Sequence, residues 1–157
     1  MARGGVGAAT STDISHLAQR LDNTIDAEKK AASRMVVYRL GGRNNSIVRF
    51  SQLIGECVGC VGKSFDIINS MPSEGDAAAA RLARQRRNAS VYENDADEPL
   101  RKCLDEAARL HSAVEFVKLK DVYETLEQVT DRCVDALDVM NDMVLKYKYG
   151  VHGRGWH

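Results

Sequence analysis

The sequence predicts an all-α protein, an antiparallel bundle of about four long helices, and three observations carry that prediction. Apolar residues recur at helical spacing, most clearly in Leu119, Val122, Leu126, Val129, Cys133, Ala136, Met140 and Met143, an unbroken alternation of threes and fours. The 157 residues are 44% hydrophobic but only 6% aromatic, with two prolines, a balance that favours helices over a β-sandwich. Strong turn signals are few and far apart: Gly41-Gly42, the stretch SMPSEGD at 70–76, and Gly150.

Each element follows from its own signals. Residues 1–12 are Gly, Ala, Ser and Thr-rich and read as a flexible segment; 13–150 form the bundle domain, and the Gly-rich 151–157 a flexible tail. Thr12 or Asp13 offers an N-cap for a first helix reaching about Leu40, with Ile14, Leu17, Leu21, Ile25, Ala32 and Met35 on one face. A second helix is predicted over 45–70. Gly55, Gly59 and Gly62 weaken it and share a surface where a neighbouring backbone can approach. Asp76 is the predicted N-cap of a third helix running to about His111. Pro99 forfeits the bond to the Asp95 carbonyl, which predicts a kink or break within 94–99, with Asp97 as the second cap. The fourth helix is predicted over 115–149.

Net charge is zero, from 22 basic and 22 acidic residues, so any electrostatic function depends on local segregation. No apolar run approaches the roughly 18 residues needed to span a bilayer, and the start lacks the apolar core of a secretory signal. Cys57 and Cys60 form a C-x-x-C inside a helical run. With Cys103 and Cys133 distant in sequence, all four read as small apolar seam residues rather than a zinc or redox site. The arginines of RLARQRR, 81–87, lack interleaved aromatics and read as a solvated face.

The segregation lies in the carboxylates. At 100° per residue, Glu124, Glu127, Asp131, Asp135, Asp138 and Asp142 fall within a sector roughly 80° wide, opposite the apolar seam. Like charges at i,i+4 cost roughly 0.2–0.5 kcal/mol per pair, and no lysine interrupts the stripe. Two further i,i+4 pairs, Asp22-Asp26 and Glu93-Asp97, stand on other helices. Oxygen-only ligands of this kind favour hard cations such as magnesium, manganese or iron. There is no Glu-x-x-His for a ferritin-like di-iron core, no Walker loop and no Ser-His-Asp order. The candidate metal ligands are therefore Asp22, Asp26, Glu93, Asp97, Glu127, Asp131 and Asp135.

These motifs, in this order, resemble the PhoU-like proteins that accompany Pit-type inorganic phosphate transporters. The similarity is strongest in Lys118-Leu119-Lys120, Glu127, Asp131-Arg132, Asp135 and Val144-Leu145-Lys146; YENDAD resembles the family's preceding acidic helix and DISHLAQRLDNTID an earlier one. The resemblance implies a non-enzymatic, metal-binding regulator of phosphate uptake. It would be cytoplasmic, peripheral at the inner membrane and homo-oligomeric, partnering a membrane phosphate transporter and using iron, manganese, magnesium or zinc. The family's helices before this point, with another acidic motif, have no counterpart ahead of Thr12, so Asp22-Asp26 lacks its expected partner. The apolar face Leu17, Leu21 and Ile25 must then pack on the other helices or on another chain. The competing reading is a metal-free helical module whose acidic stripe docks a basic partner.

Overall fold

The computed structural model describes residues 10–40, 45–109 and 112–149, the side chains of 72, 73 and 149 apart. It contains four long helices: α1 Ser11–Val37, α2 Asn45–Glu74, α3 Asp76–Ala108 and α4 Ala113–Tyr149. The expectations for residues 1–9, Gly41-Gly42, His111 and the tail 151–157 lie outside the described residues.

α4 organises the bundle. It packs against all three other helices, whereas among the described residues α1 packs against α4 alone; α2, α3 and α4 close a three-helix unit. The predicted seam is the core: Val122, Leu126, Val129, Cys133, Ala136 and Met140 are all buried. Tyr123, Thr125, Thr130, Leu137 and Val144 are buried as well, because three neighbours cover more of the helix than one seam would. One cluster joins Cys57, Met71, Leu82, Cys133 and Met140. The other joins Phe50, Leu53, Cys103 and Tyr123, where the Phe50 and Tyr123 rings stack at 5.8 Å.

Several boundaries differ from expectation for identifiable reasons. The cap of α1 is Thr10, not Thr12 or Asp13. Thr10 accepts from the Asp13 backbone while the Asp13 carboxylate accepts from the Thr10 N–H, a reciprocal capping box. The helix ends before the glycines, through Arg39 at φ 53° and bonds from the Arg39 N–H to Val36 and the Leu40 N–H to Met35. SMPSEGD is helix almost to its end, and Gly75, at φ 46°, alone turns the chain into α3, with Asp76 as first residue rather than cap.

α3 runs unbroken through Pro99, so neither the predicted break nor a second cap at Asp97 is present. An interior proline costs roughly 3 kcal/mol. Here Ala96, Pro99, Cys103 and Ala107 are all buried on one face, and that packing holds the helix together across the lost bond. The α1 face is rotated from the predicted one. Leu17 is buried and Leu21 and Met35 half-buried, but Ile14 and Ile25 are 57% and 49% exposed while Asp13, Thr24 and Ala31 turn inward. No helix among the described residues is long and apolar enough to cross a membrane.

The three glycines of α2 meet no neighbour: a Cβ built on Gly55, Gly59 or Gly62 finds nothing within 4 Å. Gly55→Ala and Gly62→Ala should therefore each stabilise the chain by about 0.5–1 kcal/mol, through helix propensity alone. The check is the urea midpoint at unchanged slope; a lowered midpoint would show that the flat surface serves the fold.

Candidate functional site

The acidic stripe of α4 lies in a groove with α1 on one side and α3 on the other. On the α1 side, Arg34 Nε meets Asp121 Oδ2 at 2.8 Å, and Arg20 Nη1 stands 3.6 Å from Asp135 Oδ2. On the α3 side, Arg86 donates from Nε and Nη2 to the two Asp138 oxygens at 2.7 and 3.2 Å. Within α4, Lys120 pairs with Glu124, and Arg132 with Asp135 at 3.0 Å. Much of the repulsion read from the sequence is thus answered by cations, Arg20 and Arg86 from neighbouring helices and Lys120 and Arg132 from α4 itself, while Arg34 answers Asp121 at the border.

The middle of the stripe is different. Glu127 and Asp131 are half-buried, and the α3 pair Glu93 and Asp97 faces them. None of these four has a cationic partner within 4 Å among the described residues. Burial first, then Asp131, Asp97, Glu93 and Glu124, pushes the Glu127 carboxyl above its ordinary value. Asp131 is raised by burial, then by Asp135, with Arg132 opposing and Asp97 adding to the rise. Glu93 is raised by burial, then by Asp131 and Asp97, against the pull of Arg86. Two i,i+4 carboxylate pairs on adjacent helices therefore lie within electrostatic reach of one another. A shallow depression of about 380 Å³ adjoins them, lined by Arg86, Ser90, Glu93, Asp131, Arg132, Val134 and Asp135.

The other predicted ligands are placed otherwise. Asp22 and Asp26 are exposed on the outer side of α1, away from α4, and Asp26 stands 3.7 Å from Lys29. They do not join the α3–α4 cluster. Asp135 sits at its edge, already held by Arg20 and Arg132. Among the described residues, no group of three or more His, Cys, Asp or Glu is spaced to hold a metal ion as the side chains stand.

All four cysteines are free and buried. Burial, and then Cys133 and Cys60, pushes the Cys57 thiol up to about 12; burial does the same to Cys133. Thiols so reluctant to ionise are poor nucleophiles and poor ligands, as the seam reading expects. Sequence reasoning missed Arg20, Arg34, Arg86 and Asp13, which set where the charge is answered. The signal was faint: Arg20 and Arg34 stand four helical turns apart on the flank of the buried α1 face.

No family model matches the chain, and no curated protein or solved structure is detectably similar to it.

The carboxyls impose opposite pH dependences. Glu93, Glu127 and Asp131 have folded values above their unfolded ones, so folding takes up protons; their contribution should improve from roughly pH 7 down toward the ordinary carboxylate range. Asp13 runs the other way. Its pKa is lowered from 3.8 to about 2, by Lys146 first and the Thr10 backbone second. It contributes about 2 kcal/mol above the unfolded value, lost as pH falls through the folded one. Urea denaturation across this range should show stability rising to an optimum on the acid side of neutrality, then falling steeply. Glu127→Gln with Asp131→Asn should flatten the first limb, and Asp13→Asn the second. A wild-type profile flat from pH 7 to the ordinary carboxylate range would contradict the unpaired quartet.

Proposed function

We propose that the chain is a non-enzymatic, metal-binding accessory protein of inorganic phosphate transport, a PhoU-like bundle that regulates a Pit-type membrane transporter from the cytoplasmic side. The observation that carries the metal is the convergence of Glu93-Asp97 with Glu127-Asp131, half-buried apart from Asp97 and without a cationic partner among the described residues. The motif order that resembles the PhoU-like proteins supports the transport role. Iron, manganese, magnesium or zinc would be held by carboxylate oxygens of both helices, drawing together side chains that repel one another in its absence. Such an ion binds the folded chain and not the unfolded one, so it stabilises by mass action. Homo-oligomerisation belongs to the same reading, since Ile14 and Ile25 leave an apolar row on α1 exposed.

A second reading has its own observation. The stripe already accepts arginines from a docked helix, Arg20 and Arg34 of α1, and among the described residues no three ligands are spaced for a metal. A metal-free module that docks a basic partner through the same groove fits those facts.

Thermal melting of wild type and of Glu127→Gln with Asp131→Asn, each with and without manganese or iron, separates the two. Without metal the double variant should be as stable as wild type or up to about 1 kcal/mol more stable, because repulsion is relieved. Added metal should raise the wild-type Tm and leave the variant unmoved. Equal gains in both would remove the metal from this groove. Gain in neither would leave the groove to the basic partner.

A further inference from the structure

α1 is attached unlike the other helices. Among the described residues its only packing partner is α4, and four of its 27 residues are buried, two of them polar, against eight buried in α3. Charged and polar contacts hold it along its whole length. Lys146 Nζ meets Asp13 Oδ1 at 2.6 Å at one end. Arg20 approaches Asp135 midway. At the other end Arg34 pairs with Asp121 and donates to Thr125 Oγ1, while the Tyr38 hydroxyl donates to Asp121 Oδ2 at 2.7 Å. On α4, Ala136, Val139 and Met143 share the side that carries Asp121 and Thr125. The acceptor is thus a strip of small and flexible apolar residues edged by acids. α1 gives each core cluster only one buried residue, Leu17 to one and Ala31 to the other; every other buried member, Phe50, Leu53, Leu82, Ala89, Val122 and Leu137 among them, comes from α2, α3 and α4.

We propose that α1 is a separately opening arm, and that the α4 strip beneath it is a helix-docking site that α1 of a second copy of this chain occupies in exchange. The recognition is charge-matched: an amphipathic helix carrying arginines four turns apart meets Asp121 and Asp135, and its aspartate meets Lys146. A second copy presents the same helix with the same charges. Among the described residues α1 packs on no other helix of its own chain, so its own arm and a partner's would meet the same surface. Local opening of a lightly held element is ordinary, and exchange of identical elements is an economical route to a dimer. The inference is independent of any metal in the acidic groove.

Charge reversal tests both halves. Arg34→Asp sets two carboxylates together within one chain, and Asp121→Arg sets two guanidiniums together. Each variant alone should form no exchanged dimer, with α1 amides exchanging hydrogen at least about tenfold faster than in wild type and the centres of α3 and α4 unchanged. Mixed one to one, the two restore both pairs only in an exchanged dimer. There the carboxylate introduced on α1 of one variant faces the guanidinium introduced on α4 of the other, and native Arg34 faces native Asp121. The mixture should form a one-to-one heterodimer with α1 protection recovered. Variants that lose protection equally in α3 and α4 would show that α1 is not a separate arm. A mixture that stays monomeric and unprotected would remove the docking site.

Discussion

Everything in this bundle depends on the position of α4. A helix packed on three sides must bury residues over nearly half its circumference, and the sequence supplies them, from Val122 through Met140 to Val144. Opposite that buried half, within a sector roughly 80° wide, the chain has placed six carboxylates. The charges of the neighbouring helices follow from that choice. Arg86 of α3 and Arg20 and Arg34 of α1 reach that side or its border. The flanking helices therefore do two jobs: they cover apolar seam and bring cations to the edges of an acidic strip.

The same requirement explains why α1 is rotated. Turning Ile14 and Ile25 inward would have buried more apolar surface, worth roughly 25 cal/mol per Å². It would also have carried Arg20, Arg34 and Tyr38 away from Asp135 and Asp121, leaving Asp135 to Arg132 alone and Asp121 half-covered without the cation and hydroxyl that now answer it. Leaving a half-buried carboxylate unpaired opposes the gain from covering the two isoleucines. The hydrophobic pattern alone gives the wrong face because it weighs only the first of these terms.

What the sequence disclosed follows the same division. The eight-residue seam of α4 was legible because a long, unbroken periodicity has one interpretation. The i,i+4 acid pairs were legible because spacing within a helix is geometry. Their convergence was not, since nothing in YENDAD states which helix it will face; α3 lying antiparallel to α4 decides that. Pro99 misled as to a break because the bond it forfeits is local and visible, while the buried face from Ala96 to Ala107 that keeps the helix continuous is tertiary. The caps misled on a smaller scale. Thr10 lies in a run of small polar residues where several positions can cap, and only the reciprocal bond with Asp13 selects it.

Asp13 and Asp131 make the sharpest comparison. Asp13 is the more buried, yet Lys146 and the Thr10 amide hold its carboxyl near 2. The fold can therefore answer a buried carboxylate completely with a single lysine and one cap. Around Asp131 the chain has the means at hand, since Arg86 and Arg132 both line the adjoining depression. Instead Arg86 is committed to Asp138 and Arg132 to Asp135, each turned toward an acid at the edge. Glu93, Asp97, Glu127 and Asp131 are left facing one another, at a cost in stability that a single lysine on α3 would reduce. Repulsion of this kind is concentrated in four carboxylates on two adjacent helices; on the rest of the strip it recurs at Asp142, which burial and then Asp138 push up against the pull of Lys146. That is why the proposed cation reading rests on the quartet rather than on the stripe as a whole.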